Sequence, residues 1–252
     1  MKYLFFFLLR EKEGYAVNEV QLSERLLAVA EQVPEGAKLA DIGSDHAYLP
    51  CYLSLQNKVQ FAVAGEVNEG PYQSAKAQVK RLRLEGDISV RKGDGLHVMM
   101  PGEVDVITIC GMGGGLISTI LEEGKDKLEG ITRLILQPNV TAHLIRNWLR
   151  RRNWKLIDES ILEEDGKIYE ILVAERGDDQ EVYLDNEEVK MLVGPYLMKE
   201  KSTVFRKKWE LEIEGWKRII RSLEKAKQEE KEILRKKMEL KKTIEMVEEV
   251  IQ

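Results

Sequence analysis

From residue 38 to residue 152 the sequence alternates short apolar runs with longer amphipathic ones, and each apolar run ends in a polar or glycine-bearing break. Strand-like runs lie at 38–42, 60–67, 88–91, 104–110 and 133–136. Helix-like segments start near 49 and cover 72–83, 116–123 and 142–152. Strands separated by single helices predict a parallel, doubly wound α/β sheet. Residues 21–32 add a helix-like segment in front, closed by Pro34 and Gly36. Residues 154–162 and 167–175 read as two further strands, and Asp165-Gly166 between them is a hairpin signal. The expectation is therefore a parallel sheet with a terminal antiparallel hairpin.

Beyond residue 176 the pattern changes. A polar stretch at 177–179 precedes a short helix at 186–198, interrupted by Gly194 and Pro195. From 203 onward the chain is highly charged, free of proline and helical in pattern. Phe205, Trp209, Ile213, Trp216, Ile220 and Leu223 recur every three or four residues, and Leu234, Met238, Ile244, Val247 and Ile251 resume the pattern. A phase break at 226–230 predicts a coiled-coil hairpin of two antiparallel helices. A single long helix that dimerises is the other arrangement the pattern allows.

Residues 3–9 form a seven-residue apolar run, too short to span a bilayer and lacking a small-residue cleavage site. Val17 is followed by NEVQLSERL, which reads as a soluble start, and valine can be specified by GTG, a bacterial start codon. Residues 1–16 are expected to be an upstream extension; a packed arm or edge strand is the alternative. Cys51 and Cys110 lie far apart and show no metal-ligand spacing. They point to free thiols in a reducing cytoplasm, with no metal and no membrane anchor.

The chemistry concentrates at the strand ends, where ligands sit in doubly wound sheets. The first is LADIGSDHAYLP, residues 39–50. It has one glycine, Gly43, then Ser44, Asp45 and His46, with Asp41 before the turn. A phosphate-binding loop would carry further glycines. This one suits a ligand with an amino-acid tail and a positive charge. The second strand ends at Glu66, a carboxylate able to accept both hydroxyls of a ribose. The third leads to Gly93-Asp94-Gly95, a carboxylate placed for an adenine amino group. The fourth ends in Cys110-Gly111-Met112-Gly113-Gly114, a backbone-rich loop facing the reaction centre. Asp41, Glu66 and Asp94, each after a strand, form the pattern of S-adenosylmethionine binding. Taken singly, each carboxylate is equally a helix cap or a solvated loop residue.

DIGSDHAYLP, GEVNEGPYQSA, GDGL, ICGMGGGLI and LQPN, in that order, resemble the TrmK family of bacterial tRNA (adenine(22)-N(1))-methyltransferases. The likeness covers about residues 21–252. It implies a class I, Rossmann-like methyltransferase sheet with a C-terminal coiled coil, and methyl transfer from S-adenosylmethionine to N1 of adenine 22 of tRNA. Residues 17–176 would be the methyltransferase domain and 177–252 the helical domain. By the same resemblance Asp41, Gly43, Ser44, Asp45 and His46 would surround the methionine end of the cofactor. Glu66 would hold the ribose with Asn68 nearby, and Asp94 and Gly95 would bracket the adenine. Cys110, Gly111, Met112, Gly113 and Gly114 would line the space toward the target base. Gln137, Pro138 and Asn139 would close the same rim. Asp45 and the loop Gly111, Met112, Gly113 are the candidates for shaping the transition state. Adenine N1 carries a lone pair, so no general base is required, and the lack of a Ser-His-Asp, Cys-His or metal constellation is expected.

A net charge of -5 excludes a uniformly basic nucleic-acid binder. The charge is uneven, however: residues 199–242 hold sixteen Lys and Arg against nine Glu. Arg146, Arg150, Arg151, Arg152 and Lys155 form a second basic cluster. Such local stripes are what phosphate contact needs, so tRNA is expected on these patches and the C-terminal helices, with the protein a monomer. Charge that merely solvates a helical hairpin is the plainer reading. Two other functions fit the residues less well: methylation of another RNA, a protein or a small molecule, and a non-catalytic scaffold.

Overall fold

A computed structural model describes residues 22–225 and 231–252. The expectations for residues 1–16 and for a phase break at 226–230 fall outside the described residues.

Five strands run parallel: β1 Ala37–Ile42, β2 Val59–Glu66, β3 Ile88–Lys92, β4 Val106–Gly113 and β5 Arg133–Val140. β6 Trp154–Glu164 and β7 Lys167–Arg176 form the antiparallel hairpin, with β7 beside β5. The sheet order is β3-β2-β1-β4-β5-β7-β6. The chain builds outward from β1 through β2 to β3, then returns to β4 on the other side. The switch point lies between β1 and β4, and their carboxyl ends define the crevice.

Both faces of the sheet are buried, which is why its strands read as continuous apolar runs. Alternate residues feed opposite cores. Leu39, Ala62, Val106 and Ile135 pack with α1 Glu24–Gln32, α2 Tyr48–Leu55 and α3 Glu69–Leu82. Ala40, Val63, Ile107 and Leu134 pack with α4 Gly114–Glu123 and α5 Ala142–Arg151. The β6–β7 turn uses Asp165 and Gly166 at φ 51° and 72°. Two central residues with positive φ twist the turn as the hairpin requires.

Two strands run further than the sequence predicts. β4 continues through Gly113 and β5 through Val140, so the glycine-rich segment and QPN belong to strands rather than loops. Met112 pairs with Pro138 and Gly113 with Val140, across a bulge at Gly111, whose φ is +75°. The irregular ladder tolerates Pro138, which has no N–H to donate.

After β7 come α6 Gln180–Tyr183, α7 Glu187–Val193, α8 Pro195–Glu200, α9 Thr203–Glu224 and α10 Lys231–Ile251. Tyr183 and Met191 pack into the α4–α5 side of the sheet core. Ser202 caps α9, its hydroxyl accepting from Phe205 N–H at 3.2 Å. α9 and α10 pack antiparallel: Arg206 donates to Ile251 O at 2.6 Å, and Lys217 lies 2.9 Å from Glu248. Phe205, Trp209, Ile213 and Ile220 meet Leu240, Ile244, Val247 and Val250 in the buried seam. Leu234 and Met238, read as seam residues from the sequence, are exposed instead, and Ile251 is half-buried. The face of α10 that meets α9 runs through Leu240 and Val250.

The second basic cluster also differs. Arg146 is fully buried and paired with Glu159 and Glu170. Arg150 pairs with Glu187, and Arg152 with Glu122. At 3.6 residues per turn, position 146 shares the inward face of α5 with Ala142, Ile145 and Leu149. The cluster is therefore not an open cationic stripe.

Candidate functional site

The carboxyl ends of β1, β2, β3, β4 and β5 form one rim. At its centre Asp41 is buried, and both of its oxygens are taken. Ser44 Oγ donates to Oδ2 and Thr108 Oγ1 to Oδ1, each at 2.6 Å. Burial pushes its carboxyl above the usual range, against the lowering effect of the two hydroxyls. Asp41 therefore braces the β1 loop against β4 from below rather than offering an oxygen to the crevice. Thr108 stands opposite Asp41 in the β1–β4 register.

Above this brace the loop is tightly folded. Gly43 has φ +71°, and its N–H and that of Ser44 donate to Gly65 O at 2.9 and 3.0 Å. A Cβ on Gly43 would meet only the Met112 methyl, a flexible side-chain end that can swing aside, so it is the positive φ that favours glycine here. His46 and Ala47 both lie in the left-handed region, at φ 59° and 55°. Two such non-glycine residues cost on the order of 1 kcal/mol each, held by the surrounding fold. The His46 ring stacks on Tyr48 at 5.2 Å, and His46 Nε2 lies 3.5 Å from the exposed carboxylate of Asp45.

Glu66 ends β2 and is buried, with Oε1 accepting from Asp45 N–H at 2.8 Å. It thereby links the β1 loop to the β2 end. Asn68 is exposed at the start of α3, and its side chain makes no capping bond. Asp94 is exposed at the head of the 3-10 turn Gly95–Val98. Gly95 sits at φ +50°.

The β4 end carries Cys110, Gly111, Met112 and Gly113. The Cys110 thiol is pushed up by burial, and the Asp41 charge adds to this, so it stays protonated. The bulge at Gly111 is pinned from β5. Gln137 Oε1 accepts from Gly111 N–H at 3.0 Å, and Asn139 Nδ2 donates to Gly111 O at 2.8 Å. Gln137 Oε1 also accepts from Arg25 Nη1 of α1 at 2.5 Å. Arg25 lies over the Tyr169 ring of β7, 5.3 Å from its centre.

The fold thus brings Asp41, Gly43, Ser44, Asp45, His46, Glu66, Asn68, Asp94, Gly95 and the 110–114 segment onto a single rim. Sequence reasoning missed Thr108 and Arg25. A hydroxyl inside the apolar run VDVITIC was a usable signal, since buried hydroxyls need partners. An arginine in an amphipathic helix gave none. A cleft of about 420 Å³ opens beside this rim, lined by Asn139, Val140, Ile168, Lys208 and Trp216. Among the described residues, no group of three or more His, Cys, Asp or Glu side chains could hold a metal ion.

The acceptor set fits a nucleoside: a buried carboxylate after β2 and an exposed one after β3, beside a loop whose glycine admits close approach. The tRNA (adenine(22)-N(1))-methyltransferase family model, TrmK, matches residues 39–249. The chain belongs to the TrmK family. The tRNA (adenine(22)-N(1))-methyltransferase of Bacillus subtilis strain 168 is 54 % identical over 237 residues, 93 % of this chain and 99 % of that protein. The crystal structure of the B. subtilis TrmK enzyme matches with a TM-score of 0.89 and 52 % identity, over 92 % of this chain and 100 % of that one. A putative tRNA (m1A22) methyltransferase of Streptococcus pneumoniae, in complex with S-adenosyl-L-methionine, matches at 0.81 and 42 % identity, covering 91 % and 99 %. The TrmK of M. capricolum, in complex with S-adenosyl-homocysteine, matches at 0.77 and 28 %, covering 92 % and 99 %. The TrmK motifs named from the sequence are the segments that form the rim.

Proposed function

We propose that this chain transfers a methyl group from S-adenosylmethionine to ring nitrogen N1 of adenine 22 in tRNA, in the bacterial cytoplasm. The observation that carries this is the coincidence of the family match with one rim built from all its strand-end motifs. Residues 17–176 form the catalytic unit and 177–252 the helical unit. The bound cofactor supplies a methyl group on a positively charged sulfur.

Glu66 holds the ribose hydroxyls, with Asn68 beside it, and Asp94 and Gly95 receive the adenine. Gly43, Ser44, Asp45 and His46 wrap the methionine end, with Asp41 fixing the loop through Ser44. Cys110, Gly111, Met112 and Gly113 line the approach of the target base, held in place by Gln137 and Asn139. Adenine N1 attacks with its own lone pair, so the rim has to align the centres rather than remove a proton. Transfer moves a positive charge from sulfur to base, and Asp45 stays close to that charge throughout. N1 lies on the pairing edge, so the nucleotide must be unpaired or displaced.

The deciding experiment uses labelled S-adenosylmethionine with unmodified tRNA and with the same tRNA bearing guanine at position 22. Label in 1-methyladenosine at position 22 of the first, and none in the second, is expected. Equal labelling of both would sink the assignment.

Glu66→Ala should weaken S-adenosylmethionine binding by about 1.5–3 kcal/mol, the range for hydrogen bonds to a charged group. Titration calorimetry reads this directly, and unchanged affinity would remove Glu66 from the ribose.

The helical hairpin contributes the phosphate contacts. Arg218, Arg221 and Lys236 are exposed and have no carboxylate within ion-pair distance among the described residues. Replacing all three by Ala should lower the salt slope of tRNA binding by roughly 2, at about 0.7–0.9 per lost contact. These surface changes test the hairpin better than truncation at residue 199. Truncation would also remove Lys208 from Glu170 and uncover Val189 and Val193. An unaltered slope would point to a protein partner or a second copy on the hairpin.

A further inference from the structure

The cleft beside the rim opens between the β5–α5 junction, β7 and α9, outside the cofactor crevice. Its volume of about 420 Å³ is that of a small-ligand pocket. Val140, Ile168 and Leu211 give it apolar walls, and the half-buried Trp216 gives it an aromatic one. Its charges are already matched. Lys207 is held by Glu163 at 2.6 Å and Lys208 by Glu170, and Glu212 adds an exposed carboxylate. Burial, and then Arg146 and Lys208, hold His143 below the usual imidazole range, so it is neutral. The cleft therefore suits a flat, uncharged group better than a phosphate.

We propose that this cleft receives the base of the nucleotide next to the target in the RNA strand, stacked on Trp216, an inference that rests on the tRNA reading above. Trp209 lines the same cleft and is 3 % exposed, and its indole N–H has no acceptor among the described residues. Buried donors are normally paired, so an orphan in the wall of a cleft points to an acceptor carried by a ligand. A base edge carries such acceptors, as carbonyl oxygens or ring nitrogens. The neutral imidazole of His143 adds one donor and one acceptor.

The cleft is continuous with the approach of the target base. Asn139 donates to Gly111 O at 2.8 Å, Val140 pairs with Gly113, and both residues line the cleft. A strand whose target base stands at Gly111–Gly113 thus meets the cleft as it leaves the rim. Displacing the target to expose N1 takes a stacking partner from its neighbour. Unstacked RNA bases are taken up by aromatic rings and by hydrogen bonds to their edges. Trp216 is braced for this, its ring 6.2 Å from that of Trp209 and tilted by 41°. Helix α9 would then read a base directly, in addition to any phosphate contacts of the hairpin.

The test measures tRNA affinity with the full chain. The probes are intact unmodified tRNA and two tRNAs that each lack the base of one nucleotide flanking position 22. Wild type should bind one of the two about five- to a hundredfold more weakly than intact tRNA, the scale of one base stacked on an aromatic ring. Trp216→Leu should weaken intact tRNA by a similar factor and show no further loss with that abasic tRNA, because both changes remove the same contact. Trp216→Phe keeps a ring and should retain most of the affinity. Both variants should bind S-adenosylmethionine within twofold of wild type. Wild type that binds both abasic tRNAs as tightly as intact tRNA would overturn the proposal, whether or not the variants fold, and would leave the cleft to a protein segment. Losses that multiply when Trp216→Leu meets the abasic tRNA would overturn it as well. Wild type that methylates no tRNA would instead overturn the tRNA reading itself.

Discussion

Arg146→Met is expected to cost about 3–5 kcal/mol of stability, the range for removing one partner of a buried ion pair. Arg146 is wholly buried on α5. Its Nε lies 2.6 Å from Glu159 and its Nη2 2.5 Å from Glu170. Its Nη1 donates to Leu192 O at 3.0 Å. Glu159 accepts in addition from Tyr196 N–H at 3.0 Å, and Glu170 pairs with Lys208 of α9. One guanidinium therefore joins α5, β6, β7, the α7–α8 turn and, through Glu170, α9. Gly194 is required beside it, because a Cβ there would stand 2.6 Å from Arg146 Nη2. Methionine fills similar volume but leaves Glu159 with no cation and Glu170 with only Lys208. The loss should appear as a lower midpoint in denaturant unfolding. Replacing Glu159 by leucine in the same chain should recover part of it, since Glu159 is the carboxylate left without a cation, whereas Glu170 keeps Lys208. A loss below about 1 kcal/mol for Arg146→Met would mean that water reaches the site.

The same residue marks where sequence reading stops. The strand and helix alternation, the Asp165-Gly166 turn and the strand-end motifs are local signals, and the sheet follows from them. In the sequence Arg146 reads as one patch with Arg150, Arg151 and Arg152, because neighbouring charges look alike there. Only the helical period and a pair of distant glutamates, Glu159 and Glu170, reveal that it points inward. Gly111 and Pro138 read as loop residues because their backbone preferences break a regular ladder, and the bulge that accommodates both is a property of the pair β4–β5. Asp41 is legible as a strand-end carboxylate, but its orientation depends on Thr108, 67 residues away. Arg25 had no signature at all, since what sets it apart is the approach of α1 to β5 and β7. Local chemistry was legible, and the contacts that orient it across the sheet were not.

Gly114→Ala should be the most damaging single-methyl change at the rim. Gly114 is the first residue of α4 and is buried. A Cβ there would overlap Thr141 O, and would stand 2.9 Å from Thr141 C and 3.2 Å from its Oγ1. The obstacle is backbone, so no side chain can swing aside. Thr141 is itself fixed in the left-handed region at φ 57°, with its carbonyl accepting from Leu144 N–H at 3.0 Å to start α5. The heads of α4 and α5 must therefore separate, and the separation is passed to the β4 and β5 ends to which they are joined. Overpacking of this kind costs about 1–3 kcal/mol. Displacing Gly111–Gly113 by about 1 Å from the Pro138–Val140 edge should lower kcat roughly a hundredfold. Gly115→Ala is the matched control. Its Cβ would meet only Leu144 Cδ1 at 3.5 Å, an ordinary contact, so stability should change by less than about 0.5 kcal/mol. Thermal unfolding and single-turnover methylation of tRNA by both variants make the comparison. If Gly114→Ala matched Gly115→Ala in stability and kept wild-type turnover, the helix heads would be free to part, and the rim would not depend on their contact.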